Sequence, residues 1–466
     1  MKKHCVVIGA GIVGSSCAWH LQQKGLQVTL IDHELPGQAC SFGNASCIAA
    51  SSVVPFSYPG LIWKVPGWLL DPLGPMRIRP IDFPSLIPWF WNFWRVSNMQ
   101  KVEEIAQAQA TLMHEVFADY DEILKATESS YLKKDRGVIH VYDTEKLYRA
   151  DEWQADLRKR MGFTEHRLSH AEMKSMVPCL KLDKGVAILM HDWHHLLDPA
   201  KVTARIADHC FSQGGNWIQD RVKSVTADSP GVSIQTESGQ RIAADQLVVA
   251  AGAWSNSIAQ QLDYKVPMVA KRGYHSQISD PGIELEYPVM SINRHVVMTS
   301  LEKGLRVAGT AELAALDAKP DYRRAKVLLK HASFYLEGLN IAGVIVWLEG
   351  RPMMADSMPV ISVSPRHSNV FYAFGHGHYG LTQGPTTGRI IADMVTGKKP
   401  SSDYSAFRFD RFRNPVWGAV GIGNRVTSHR RAGRGPRPRP RPHRNPCRRL
   451  RRGGAGSGGC CRYCCC

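Results

Sequence analysis

The first thirty-two residues leave little choice of fold. His4 to Ile8 is a short apolar run, Gly9-Ala10-Gly11-Ile12-Val13-Gly14 follows it, Ile12 to Lys24 has a helical pattern, and Gln27 to Ile31 is a second strand ending at Asp32. This order predicts the opening βαβ unit of a dinucleotide-binding fold. Gly9 permits the tight turn, Gly11 lets the backbone approach a pyrophosphate, and Gly14 lets the helix pack closely on the sheet. Ile12 and Val13 open the helix, whose unpaired N–H groups and positive dipole end face the phosphates. Asp32 is placed to accept hydrogen bonds from the ribose hydroxyls and to repel a 2′-phosphate. The fingerprint does not distinguish a flavin from a nicotinamide dinucleotide.

At 466 residues the chain exceeds the size at which single cores stop growing, so two lobes are expected. A hydrophobic fraction of 44% and a charged fraction of 21% fit a soluble globular protein. From about Ser51 to Pro88 the sequence is rich in proline, tryptophan and glycine, and Gln100 to Lys125 reads as one long helix. Neither continues a parallel sheet, so the block reads as an inserted lobe. A helix over Pro199 to Gln213 and strands through Ser233–Thr236 and Gln246–Ala250 resume the nucleotide lobe. Gly273 to Val346, with a helix over Tyr322 to Leu336, leaves it again. After Asn369 a strand to Phe374 runs through a glycine-rich turn into a helix over Leu381 to Val395.

The net charge of +17 is concentrated at one end: thirteen arginines and no acidic residue lie from Arg425 to Cys466, and without them about +4 remains. Six of the twelve cysteines fall in the same stretch, and the other six have neither metal-ligand nor disulfide-framework spacing, which suits a reducing, cytoplasmic compartment. The Arg/Pro/Cys-rich tail, 420–466, is expected to be disordered and without function. A nucleic-acid-binding arm is the rival reading, since such segments bind phosphates. No run reaches the roughly 18 apolar residues of a membrane span. The aromatic stretch Pro88-Trp-Phe-Trp-Asn-Phe-Trp-Arg95, with Trp63 and Trp68, suits either packing in the second lobe or peripheral contact with the inner face of a membrane.

Three further motifs stand in a telling order: Gln246-Leu-Val-Val-Ala-Ala-Gly-Ala-Trp-Ser255, Trp347-Leu-Glu-Gly-Arg-Pro352 and Phe374-Gly-His-Gly-His-Tyr-Gly-Leu-Thr382. With the fingerprint they resemble the D-amino-acid oxidase-type FAD-dependent oxidoreductases, most closely their bacterial D-amino-acid dehydrogenase branch, over about residues 1 to 410. The resemblance implies an α/β fold: a discontinuous Rossmann-type FAD-binding domain (1–50, 185–270 and 350–410) and an α+β substrate domain (51–184 and 271–349). It also implies noncovalent FAD and a D-amino acid or cyclic amine as substrate. Hydride would pass from the α-carbon of the neutral amine to the flavin, and water would hydrolyse the imine to an oxo acid and ammonia. Electrons would continue to a quinone or another carrier.

Carried over by position, the resemblance puts Ser41, Gly43 and Asn44 in a loop crossing the flavin pyrophosphate and ring edge. Val222 would contact the adenine through its backbone, and Ala251, Gly252 and Trp254 would close the nucleotide lobe near the pyrophosphate. Arg351 would grip the substrate carboxylate with its bidentate fork. Gly377, Gly380, Leu381 and Thr382 would lie at a helix N-terminus facing the flavin's pyrimidine edge, with His378, Tyr379 and His376 near substrate or flavin. No metal is expected at His191, His194 and His195, which lack matching ligands at metal-site spacing. Three enzymatic alternatives stay open: an oxygen-using oxidase of glycine or sarcosine, an oxidase of a cyclic secondary amine, and an NAD-dependent dehydrogenase.

Overall fold

A computed structural model describes residues 2–412 apart from Pro72 and Ser229. The arginine-rich tail lies outside the described residues.

Apolar β-branched runs with buried faces build the first sheet. Its strands are, in spatial order, Asn216–Gln219, Gln27–Asp32, His4–Ile8, Gln246–Val249, Val370–Phe374 and Val360–Val363. The first five run parallel and the last antiparallel. Parallel strands buried on both faces need continuous apolar sequence, and the pattern of His4–Ile8 and Gln246–Val249 is almost wholly buried. On one face the helix Ile12–Gln23 packs against Gly380–Val395 at backbone distance. A side chain at Gly388 would strike the Ser16 backbone, and one at Gly384 would come within 3.0 Å of Ile12. A small three-stranded antiparallel sheet, Val222–Asp228, Gly231–Thr236 and Arg241–Ala244, adjoins this half.

The second sheet is larger and mixed. Its long strands Val344–Met354, Met268–Ile278 and Gly304–Leu313 pair antiparallel, and the order continues through Val296–Leu301, Val289–Ser291, Val138–Tyr142, Val186–Met190 and Glu165–Leu168. The helix Arg323–Tyr335 covers part of it, burying Leu328 and Ala332 in a core with Val296, Met298 and Val307. By strand pairing this sheet takes in Val186–Met190 and runs on to Met354, a few residues beyond the boundaries read at 185 and 350.

The single helix expected over Gln100 to Lys125 is two, Met99–Met113 and Val116–Ala126. At the break, His114 and Glu115 turn to different partners. Glu115 and Asp119 converge on Arg389 of the helix Gly380–Val395, with Arg389 Nε 2.7 Å from Asp119 Oδ1, and His114 turns away to stack on Phe163 at 4.5 Å. Apolar periodicity carries no trace of such ion pairs.

Candidate active site

The fingerprint residues meet at the C-terminal ends of the parallel strands. Gly9 has φ +108°, and any Cβ there would collide with the Ala250 carbonyl; a Cβ at Gly14 would collide with the carbonyl of Gly9. Gly11 is the N-cap of the helix Ile12–Gln23, with no side-chain cap of its own and no acidic residue in the first turn. Ser41 Oγ accepts the Ile12 N–H at 2.9 Å, which seats the following loop on that end. Asp32 accepts the Ala10 N–H at 2.7 Å and lies 2.9 Å from His33 Nδ1. Asp220 N donates to the Asp32 carbonyl at 2.9 Å, which brings Val222, two residues on, beside the same strand end. Trp254 faces His33 with ring centroids 6.3 Å apart, and Ala251 and Gly252, the latter at φ +52°, complete the rim. These are the parts a dinucleotide requires: a glycine cradle, an open helix N-terminus and a carboxylate at the end of the second strand.

The loop 41–46 is pinned by the second sheet through residues that sequence reading missed. Arg306 Nη1 donates to the Phe42 and Asn44 carbonyls at 2.7 and 3.0 Å, His275 Nδ1 meets the Gly43 carbonyl at 3.0 Å, and Thr299 donates to the Ala45 carbonyl at 3.1 Å. Trp347 lies flat on Gly43, where a side chain would collide with its ring, and stacks on His275 at 5.1 Å. Asn44 ties the loop internally, donating to the Ser41 carbonyl and accepting the Ser46 N–H.

The segment 375–382 divides between two jobs. Gly377 has φ +56°, and its N–H is taken by the Pro352 carbonyl at 2.9 Å, so that donor ties the segment to the second sheet. Thr382 Oγ1 accepts the Ala49 N–H, and the Leu381 carbonyl accepts the Tyr120 hydroxyl. The helix begins at Gly380 without a side-chain cap or an acidic residue in its first turn. His376 turns inward, buried with its Nε2 3.0 Å from Thr387 Oγ1. His378 and Tyr379 do line the site. His378 meets Phe56 edge-on at 4.8 Å, its Nε2 is buried without a partner, and burial holds its pKa well below the usual imidazole value.

A cavity of about 880 Å³ opens beside these residues, walled by Asn44, Cys47, Lys271, Arg351, His378 and Tyr379 among others. Its defining feature is a pair of like charges. Lys271 and Arg351 are register partners on the strands Met268–Ile278 and Val344–Met354, so both side chains rise from the same face. The Arg351 guanidinium lies over Gly273, where any side chain would collide with it. Neither cation forms an ion pair with a carboxylate among the described residues. Lys271 Nζ sits 4.6 Å from the Phe56 ring centre. Burial, and secondly Arg351, pull its pKa down to about 7. Two unpaired basic groups side by side are destabilising in a sheet and give this wall of the cavity a positive potential. Lys271 is legible only as one of two consecutive cations, Lys271-Arg272, in the strand Met268–Ile278, whose alternation puts them on opposite faces.

The depressed Lys271 pKa fixes the sign of a pH effect. Below about pH 7 Lys271 is charged in the folded and unfolded chain alike, and burial of that charge opposes folding at full strength. Between its folded pKa of about 7 and its unfolded value the unfolded chain holds more protons, so stability rises with pH. The Tm of the wild type minus that of Lys271→Met should therefore increase from pH 6 to pH 9. A constant difference would show that Lys271 stays charged.

The histidines at 191, 194 and 195 do other work: His194 stacks on Phe117 at 3.9 Å, and His195 is buried on the strand Trp193–Leu196. Among the described residues no group of His, Cys, Asp or Glu has the arrangement of a metal site.

Residues 4–394 match the family described as FAD dependent oxidoreductase. The chain is 32% identical over 425 residues to a protein of Bradyrhizobium diazoefficiens named D-amino-acid oxidase, covering 88% of this chain and 99% of that one. It is 27% identical over 408 residues to a D-amino acid dehydrogenase of Vibrio vulnificus, covering 84% and 96%. Among solved structures, glycine oxidase from Geobacillus kaustophilus aligns with a TM-score of 0.68 at 18% identity, over 89% of this chain and 100% of that one, which shows a shared fold. Glycine cradle, discontinuous sheet and matched length agree, and the chain belongs to the FAD-dependent oxidoreductase family.

Proposed function

We propose that this flavoenzyme oxidises D-amino acids to 2-oxo acids and ammonia and passes the electrons to a quinone or another carrier. The observation that carries the reading is the unpaired Arg351 on the cavity wall, opposite Lys271. A buried guanidinium with no acid of its own is a receptor for a substrate carboxylate, which it can hold with two parallel hydrogen bonds. The names of the two curated relatives support the D configuration.

Gly9, Gly11, Gly14, Asp32 and Ser41 would hold the dinucleotide end of FAD, and the loop 41–46 with the segment 377–382 would border its ring. FAD supplies the two-electron acceptor for the substrate's α-carbon hydride. The chain's own residues orient the substrate: Arg351 fixes the carboxylate, while Phe56, Tyr379 and Leu381 enclose the α-carbon and exclude water. His378, held neutral by burial, has an unpartnered Nε2 that can accept a hydrogen bond from the substrate's amino group and so orient it. Noncovalent FAD is in keeping with Cys40 and Cys47, whose thiols desolvation pushes up, Cys47 to about 12, which disfavours the thiolate form.

Adding D-amino acids to the purified yellow protein without oxygen should bleach the flavin absorbance, and L-enantiomers should not. Slow recolouring in air with fast turnover on a quinone or dye identifies a dehydrogenase. Rapid recolouring with peroxide release identifies the oxidase that the Bradyrhizobium relative's name suggests. A flavin bleached only by glycine, sarcosine or L-amino acids refutes the D-amino acid reading.

A specific surface favours peripheral membrane contact. Ile87, Trp91 and Trp94 fall at helical spacing on the exposed face of the helix Phe83–Val96, and Trp63, Leu70 and Ile81 are about four-fifths exposed on the segments before it. Lys64 and Arg95 flank them. Exposed tryptophans beside basic residues suit an anionic lipid interface. The protein should sediment with vesicles containing anionic lipid, and Trp91→Ser with Trp94→Ser should abolish that. Equal sedimentation of the double variant would exclude this face.

A further inference from the structure

The cavity that Arg351 lines has a second polar corner. We infer that this corner is a pocket for a cationic side-chain terminus, so that the preferred substrates are long D-amino acids ending in an ammonium or guanidinium group. The inference rests on the proposed amino-acid oxidation and names its substrate class.

The corner is built from one strand and one helix. On Val138–Tyr142, His140 and Tyr142 are two residues apart and present their side chains on one face, into the cavity. His140 is 6% exposed, yet its Nε2 has no hydrogen-bond partner. The fold thus leaves a buried imidazole nitrogen unsatisfied on a side chain that lines the cavity. Tyr142 donates its hydroxyl to Asp151 Oδ2 at 2.9 Å, and Gln154 donates to the other oxygen. Asp151 is the N-cap of the helix Glu152–Arg160, but its side chain does not cap it; the carboxylate faces the cavity instead. Tyr58 and Trp153 meet edge to face at 5.5 Å and wall the same space.

The sign of the preferred charge follows from the pairing. Arg158 also lines the cavity, but its Nε and Nη2 both donate to Glu165 Oε2, at 3.1 and 2.8 Å, so its charge is already matched. Asp151 has no ion-pair partner among the described residues. Two acids against one base leave the corner net negative, and aromatic faces beside a carboxylate are the usual surroundings of a bound cation. His140, kept neutral by its burial, can accept a further N–H from the same group. Because one cavity contains both ends, a substrate held by its carboxylate at Arg351 can extend its side chain to Asp151. The volume of about 880 Å³ lies at the upper end for small-molecule pockets, which run to about 1,000 Å³.

The test is anaerobic flavin reduction by D-lysine, D-arginine, D-norleucine and D-glutamate. D-Lysine and D-norleucine share a chain and differ at its end. The wild type should reduce at least about tenfold more efficiently with D-lysine than with D-norleucine, the range of one charge-assisted hydrogen bond. Asp151→Asn should lower that ratio by about tenfold, chiefly through KM, and Asp151→Glu should restore much of it. A wild-type ratio near one, a preference for D-glutamate, or a ratio that Asp151→Asn leaves within twofold would each overturn the pocket while leaving D-amino acid oxidation standing. A flavin that none of the four bleaches would overturn the pocket, and if D-alanine and D-proline also leave it yellow the D-amino acid reading falls with it. The wild-type ratio decides even if a variant fails to fold.

Discussion

Replacing Arg351 by alanine should lower kcat/KM for a carboxylate-bearing substrate by about ten- to a hundredfold, with FAD still bound. A charge-assisted bidentate contact is worth roughly 1.5–3 kcal/mol, and the carboxylate would have no other fork to use. Lys271 stays on the opposite strand, but as a point charge it fixes neither the plane of the carboxylate nor the α-carbon. For the same reason Arg351→Lys should recover little. The variant carries its own control: without Arg351 the repulsion on Lys271 disappears, so the Lys271 pKa should rise from about 7. Stopped-flow reduction and the visible spectrum check both halves of the expectation. Unaltered reduction kinetics with FAD retained would remove Arg351 from the site.

The legible and illegible parts of this site differ for a physical reason. Local devices leave local signatures: the turn at Gly9 and the close approach at Gly14 each demand a residue type at a fixed offset. The βαβ opening and the strand at Gln246 could therefore be placed from sequence. What pins the flavin loop is long-range. Arg306 and His275 reach the carbonyls of residues 42–44 from more than 230 positions away, and neither has a neighbour that marks it. The opposed pair Lys271 and Arg351 exists only through strand register. The His376/His378 pair shows the limit most sharply: two residues apart in a glycine-rich turn, one packs on Thr387 and the other faces the cavity. Gly375 and Gly377 both take positive φ, so alternation is lost where it would have told them apart.

Two glycines of the fingerprint should fail in different ways. At Gly14 a methyl group has nowhere to go: its position overlaps the Gly9 carbonyl, and the helix cannot retreat because Gly388 holds the opposite side of it against the Ser16 backbone. Gly14→Ala should therefore lower Tm by several degrees even without FAD, overpacking costing about 1–3 kcal/mol, and should abolish FAD retention. Gly11 has an extended conformation open to any residue, φ −72° and ψ 177°, and a Cβ there meets only Ser41 Oγ at an ordinary 3.4 Å. Gly11→Ala should fold with the Tm of the wild-type apoprotein and yet bind FAD more weakly, because its methyl group stands on the surface the pyrophosphate must approach. Thermal melts of both apoproteins and titration with FAD separate the two effects. Wild-type FAD affinity in Gly11→Ala would mean that the pyrophosphate does not cross this turn. A normal melt for Gly14→Ala would mean that the helix and sheet are held further apart than the backbone contacts require.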